Sequence, residues 1–378
     1  MANTFKFGNG QWATKEGSTL AYNDENGNFK PLPFNFTRAS SATRVNKDGL
    51  IETVGSNEPR VDYKDSTKGA LLLEPQRTNL ITYSEDFSQG YWTKTGTSVV
   101  SGFTSPKGDL SAFKLVANSN NGYIDKQSIS ISNTTSYASS VYIKRIFGSG
   151  NILIRDINGN DIIKTITSEW EKHTLISTSN STSGNFRITL ANSGDEVLIY
   201  AAQAEQGSYA TSYIPTSGSA VTRVKDSCSQ TLPSGIINQD EGTLYVEFNV
   251  STGEGIGGIV EIVNSSSPTN RVLLWDASSG SLINLSAFFG AKSGGITVNN
   301  ISLGTHKAAL TYNSTLTKFF LDGVKIGELQ SNASYTGISK IDLENTAGTV
   351  NFQQKRIKEV KLYTTALTEQ ELIALTTL

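Results

Sequence analysis

One cysteine, Cys228, is all that 378 residues carry. No intrachain disulfide framework can staple this chain, so its folded parts must rest on apolar cores or on association with other chains. Histidine is nearly as scarce: His173 and His306 sit inside strand-like segments, each beside a lysine. Without a His-Glu or Cys-His cluster, neither a transition-metal site nor a Ser/His/Asp triad can be read. No apolar run reaches the roughly 18 residues of a bilayer-spanning helix, and no membrane partner is expected. The opening MANTFKFGNGQW lacks the basic region and apolar run of a signal peptide. An excess of one charge is missing too: 32 basic against 34 acidic residues leave a net charge of -2. The basic residues are scattered rather than arranged in a stripe, which argues against nucleic acid as a partner.

What remains is a pattern of strands and turns. Gly, Ser, Thr and Asn punctuate short runs of Val, Ile, Leu, Tyr and Phe, so the expected fold class is all-β. The length suits two or three domains. Three blocks can be read: 1–75, 76–226 and 227–378. In the first, the apolar runs are too short to close a core alone, and order is expected from pairing with other copies or a neighbouring protein. In the second, Ser136 to Lys144 alternates, with Tyr137, Ser139, Val141 and Ile143 on one face and Ser140, Tyr142 and Lys144 on the other. Asn158-Gly159 marks a hairpin, and the many short strands imply a sandwich or jelly roll. In the third, GTLYVEFNV (242–250) alternates and Asp322-Gly323 marks another tight turn. Thr368 with Glu371 caps a short C-terminal helix.

Phrases of the sequence carry resemblances. The stretch FTRASSATRVNKDGLIETVGSNEPRVDYKDSTKGALLLEPQRTN (36–79) resembles the N-terminal module of bacteriophage head-fibre and tail-fibre proteins. The 76–226 block resembles the jelly-roll carbohydrate-binding modules of phage fibres, through Tyr83-Ser84-Glu85-Asp86-Phe87, Tyr91-Trp92-Thr93-Lys94, Glu169-Trp170-Glu171-Lys172 and the closing AAQAEQGSYATSYIPTSGSAVTRVKD. The hairpin FFLDGVKIG and the ending IKEVKLYTTALTEQEL resemble the concanavalin-like, laminin-G-type lectin and glucanase fold. These resemblances imply an attachment and oligomerisation block followed by a jelly roll and a concanavalin-like sandwich. They imply a virion component, assembled in the bacterial cytoplasm as a homotrimer. Its partners would be other virion proteins, through the first block, and host-surface or mucus glycans. A purely architectural capsid-decoration or fibre protein is the alternative.

Sugar binding needs an aromatic face with a few polar groups around it. The candidate carbohydrate-binding residues are Tyr142, Lys144, Arg187 and Gln203, taken to meet across one sheet, with Trp92 stacking at the rim or packing in the core. Trp170 and Trp275 are expected to pack. Glucanases of the concanavalin-like fold place carboxylates on alternate residues of one strand. Lys340-Ile341-Asp342-Leu343-Glu344 keeps the last two of that pattern but has Lys340 where the first Glu belongs, so no catalytic residue is named. No cofactor is implied. For Ca²⁺ the available loop carboxylates are Asp195-Glu196, Asp240-Glu241 and Asp276, with plain surface charge as the simpler reading.

Overall fold

The computed structural model describes residues 2–6, 13–15, 18–23, 30–250, 257–276, 284–290, 295–330, 335–343 and 354–378. Within them the strands pair antiparallel, and one short helix lies near the C-terminus, as the sequence pattern predicts. The chain forms two compact units. Met1–Gly49, Val54–Pro75 and Val224–Leu378 make the first; Leu50–Thr53 and Gln76–Arg223 make the second.

The first unit is a sandwich. One sheet runs Val324–Gln330, Leu316–Leu321, Gly304–Asn313, Glu241–Val250, Lys355–Tyr363, Ala70–Leu73, Arg60–Asp62. The far edge of Lys355–Tyr363 is shared: 355–357 pair with 71–73, and 359–363 pair with Ala2–Lys6. The other sheet places Lys30–Thr37 beside Ser227–Thr231, and continues through Lys340–Asp342, Gly257–Asn264, Ser267–Asp276, Leu285–Phe289 and Gly295–Val298. Alternation in 242–250 sends Leu244, Val246, Phe248 and Val250 inward, where they meet Leu310, Phe319, Ile341 and Val360. Phe34, Phe36, Leu71 and Leu73 belong to the same core. The 1–75 stretch, expected to stand apart as a block ordered by other chains, therefore lends strands to both sheets of the 227–378 sandwich. Its short apolar runs find their missing faces within the same molecule, a pairing that local pattern cannot disclose.

Local signals held where geometry is local. Asp322 and Gly323 take φ of 49° and 80°, the left-handed pair that a two-residue hairpin turn needs. Thr368 caps the helix Glu369–Thr376 by accepting from Glu371 N, while Thr368 N donates to Glu371 Oε2 at 2.8 Å. Leu372 then packs on Tyr245, Ala309 and Phe320.

The phage-like stretch, with Asp226 from the closing phrase, supplies a buried ionic cluster in this unit. Asp226 accepts from Arg38 Nη1 at 3.0 Å, from Glu74 N at 2.7 Å and from Arg60 Nη2. Glu74 accepts from Arg60 Nη1 at 2.5 Å. Further guanidinium hydrogens reach carbonyls: Arg38 Nη2 donates to Gly55 O at 2.6 Å and Arg60 Nη1 to Thr43 O at 3.1 Å. All four side chains are 0% exposed. Burial on its own would depress Arg60, but Asp226 and Glu74 raise its guanidinium above the ordinary value.

The second unit is another sandwich, with two five-stranded sheets. One runs Thr93–Thr95, Gly122–Ser130, Ser183–Leu190, Ile152–Arg155, Asp161–Lys164; the other runs Thr97–Phe103, Ala112–Ala117, Glu196–Gln206, Ser136–Phe147, Glu171–Thr178. Ile124, Ile154, Phe186 and Ile188 from the first sheet meet Leu115, Val141, Ile143 and Ile199 from the second. A short ladder between Arg77–Asn79 and Val221–Arg223 joins the ends of the unit. Asn79 reinforces it, accepting from Ile81 N and Ala204 N and donating to Ile214 O at 2.9 Å.

Two outcomes follow from this architecture. A fragment of 227–378 lacks Phe34, Phe36, Leu71 and Leu73 from its core, so it should not unfold cooperatively in urea, whereas the full chain should; a sharp transition of the fragment would contradict the shared core. Asp226→Ala leaves Arg38 and Arg60 buried beside a single carboxylate and should cost about 3–5 kcal/mol in denaturant titration, the range for breaking a buried ion pair.

Candidate functional site

The residues expected to form one sugar-binding face are not brought together. Tyr142 and Lys144 lie on Ser136–Phe147 and Gln203 on Glu196–Gln206, adjacent strands of one sheet with Ser140 opposite Gln203 and Tyr142 opposite Tyr200. Arg187 lies on Ser183–Leu190, in the opposing sheet. Gln203 is buried: it donates to Glu205 Oε1 at 2.8 Å and accepts from Ile214 N at 2.7 Å. The returning chain covers this face, with Thr211 N donating to Glu205 at 2.7 Å and the Tyr213 ring 5.8 Å from Tyr200. Tyr142 is half-buried against Tyr200 and Tyr213, and Lys144 is half-buried beside them on its strand. Strand alternation told which side chains leave the core. It could not tell that the closing phrase folds back over them.

Trp92 is a core residue, 3% exposed, and not a rim aromatic. Its ring packs 5.0 Å from Phe87 and 6.2 Å from Phe186, and its Nε1 donates to Tyr83 O at 3.0 Å. Trp170, just ahead of the strand Glu171–Thr178, is half-buried and packs on the cluster that includes Ala112, Tyr200 and Tyr213. Trp275 is buried in a strand of the first unit.

The face that stays open is the outward side of the sheet carrying Arg187. Ile124, Phe186, Ile188, Ile152 and Ile154 point into the core, so their neighbours point out. Cross-strand register lines these up in two rows. One runs Thr93, Asp125, Arg187, Arg155, Asp161; the next runs Thr95, Tyr123, Thr189, Leu153, Ile163. The Arg187 guanidinium lies 3.9 Å over the Tyr123 ring, and its Nη2 donates to Asp125 Oδ2 at 2.8 Å. Gln127 Nε2 donates to the same oxygen at 2.9 Å. Arg155 grips Asp161 with Nε at 2.8 Å and Nη2 at 2.5 Å. That hydrogen bond is the chief reason the Asp161 carboxyl sits below its usual value, and Arg155 is raised in return.

Chemically this is a rigid, polar, aromatic surface. Asp125 is fully buried beneath Arg187 and holds it against Tyr123, so little side-chain entropy remains to be lost when the guanidinium meets a ligand. Two buried atoms of the pair, Asp125 Oδ1 and Arg187 Nε, have no protein partner, and water or a ligand hydroxyl is their natural complement. Of these residues only Arg187 was singled out from sequence. The alternation in GYIDKQSIS, SGNFRITL and ILIR was readable, but the register that sets Tyr123 and Arg155 beside it was not.

Other sequence candidates serve structure. His306 is buried between Asp322 Oδ2 at 2.6 Å and Ser302 O at 2.9 Å, and half-buried His173 lies 3.6 Å from Glu171. Asp195 is buried and accepts from Gly150 N and Asn192 N; it is not a surface charge. Asp276 is buried as well, while Asp240 is exposed. Among the described residues no three His, Cys, Asp or Glu side chains are grouped to hold a metal ion. Asp342 is buried and takes Lys340 Nζ at 2.8 Å; Glu344 and Trp12 lie outside the described residues.

The reassignment of the tryptophans can be measured. Trp92→Ala should lower stability by about 3–5 kcal/mol, the cost of emptying a large aromatic site, and Trp170→Ala should cost less. Equal melting temperatures for Trp92→Ala and the parent chain would put Trp92 back at the surface.

No protein-family model matches this sequence, and a search of the curated proteins finds no match. Solved structures similar in part include the CBM40 domain of the Ruminococcus gnavus IT-sialidase bound to α2,3-sialyllactose, at 19% identity over 37% of this chain and 84% of that one, with a TM-score of 0.30. The NanB sialidase from Streptococcus pneumoniae is similar at 14% identity over 39% of this chain and 26% of its own, TM-score 0.31. The botulinum neurotoxin serotype G binding domain is similar at 10% identity over 39% of each chain, TM-score 0.29. Carbohydrate-binding domains are thus among the structures this chain is similar to. At this degree of overlap nothing about ligand or activity passes from them to it.

Proposed function

We propose that the protein is a virion appendage component, of a phage head or tail fibre, that presents the second unit for weak, multivalent and non-catalytic binding of host-surface or mucus glycans. The observation that carries the binding half is the outward sheet face on which the half-buried Tyr123, Arg187 and Arg155 stand in cross-strand register, fixed by Asp125 and Asp161. An aromatic ring and fixed donors in a row suit a pyranose, with C–H groups against the ring and hydroxyls against the guanidinium hydrogens. The face is flat and open, so a single site should be weak and copies must add by avidity. The virion setting rests on the 36–79 stretch and its resemblance to phage fibre modules. Homotrimeric assembly and attachment to other virion proteins belong to the same reading.

A glycan array probed with the assembled protein tests the binding half. Tyr123→Ala and Arg187→Lys should each reduce retention by the equivalent of about 1–3 kcal/mol, the range for anchoring residues at interfaces, with little change in melting temperature. Retention that ignores both substitutions would remove this face as the site. An array blank for the parent chain would favour the architectural reading.

A further inference from the structure

The second unit also contains a cleft of about 590 Å³ that shares no lining residue with the Tyr123–Arg187 face. That volume is within the range of small-ligand sites. Arg77 is the one charged residue in its lining. We propose that this cleft is a second binding site and that its ligand is an acidic sugar, a pyranose bearing a carboxylate.

The argument starts from how Arg77 is held. Its guanidinium lies 5.1 Å over the Tyr209 ring. On its other flank a Cβ at Gly207 would come within 2.8 Å of both Nε and Nη2, so only glycine leaves the guanidinium its place. Nη1 donates to Gln76 O at 2.9 Å. The nearest carboxylate, Glu205, stands 3.9 Å from Nε, beyond hydrogen-bonding distance. Glu205 is already served by Thr211 N at 2.7 Å, Thr211 Oγ1 at 2.6 Å and Gln203 Nε2 at 2.8 Å. Arg223 lies on the far side of that group, donating to Thr211 Oγ1 at 3.3 Å and Ser212 Oγ at 2.9 Å. Arg77 is thus paired only at 3.9 Å with a carboxylate that three other donors already serve, and its guanidinium lines the cleft with donors to spare.

The rest of the lining selects the ligand class. Thr78, Ser130 and Ser132 bring hydroxyls, which act as both donors and acceptors, and Ile131 and Tyr137 give an apolar wall. Hydroxyls with an apolar wall suit a polyol ring; one fixed guanidinium adds a carboxylate. A neutral sugar would leave that charge unanswered, and an apolar acid would leave the hydroxyls unanswered.

Calorimetric titration of the full-length protein with a galacturonate trimer, against the neutral galactose trimer, tests the assignment. The acidic trimer should bind about tenfold or more tightly than the neutral one, the difference that a charged hydrogen-bonding pair makes. Arg77→Gln should remove the preference. Ser132→Tyr, at an exposed position, should block binding while leaving Arg77 in place, so the assignment does not hang on one variant's folding. Equal binding of the two trimers, or none of either, would overturn the proposal. So would acidic binding that survives both Arg77→Gln and Ser132→Tyr.

Discussion

The buried ion cluster of Arg38, Arg60, Glu74 and Asp226 is the constraint on which the first unit depends. Two positive and two negative groups are closed off from water, and isolated charges there would each cost several kcal/mol. They are tolerated because every one is paired and the guanidiniums also reach backbone carbonyls at Gly55 and Thr43. Such a cluster is poor evidence of extra stability. Its consequence is uniqueness: a register shift of Ala70–Leu73 or Ser227–Thr231 would move Glu74 or Asp226 and strand a charge. That is the physical content of the phrase spread from Phe36 to Asn79 and closed at Asp226.

Arg38 and Asp226 are 188 residues apart. Closing so long a loop is slow and costly in chain entropy while it is flexible. Within the first unit the two strand ends are tied directly: Glu74 N donates to Asp226 Oδ2 at 2.7 Å and Asp226 N to Glu74 O at 3.0 Å. Within the second unit, Asn79, Ser84, Tyr213 and Thr216 tie its own two ends together: Ser84 Oγ and Tyr213 OH are 2.6 Å apart and Thr216 N donates to Ser84 Oγ at 2.9 Å.

How much of this was legible depends on range. The all-β class, the Asp322-Gly323 turn, the capping box at Thr368 and the alternating strands were readable because each is decided within a few residues. The membership of Phe36, Leu71 and Leu73 in the core of the 227–378 sandwich was not, since it depends on partners more than a hundred residues away in the chain. The candidate site failed for a related reason. Tyr142 and Gln203 were correctly placed on one sheet face, yet Ile214 and Tyr213 cover it. Arg187 lies in the opposing sheet, and the pairing of Gly122–Ser130 with Ser183–Leu190 that brings Tyr123 and Asp125 to it is set by residues about 60 positions away.

The two faces of the second unit's sandwich have divided two tasks that the sequence pattern made look alike. The face behind Glu196–Gln206 carries aromatics and the buried carboxylate of Glu205, but its hydrogen bonds run to the returning chain. The opposite face carries fewer aromatics, and its hydrogen bonds run sideways along the sheet, from Arg187 to Asp125 and from Arg155 to Asp161. Lateral bonds fix side chains without covering them. A binding surface needs that combination, since groups already ordered lose little entropy on contact and groups still exposed need not be uncovered first. An aromatic count alone would point to the covered face; the direction of the hydrogen bonds separates the two.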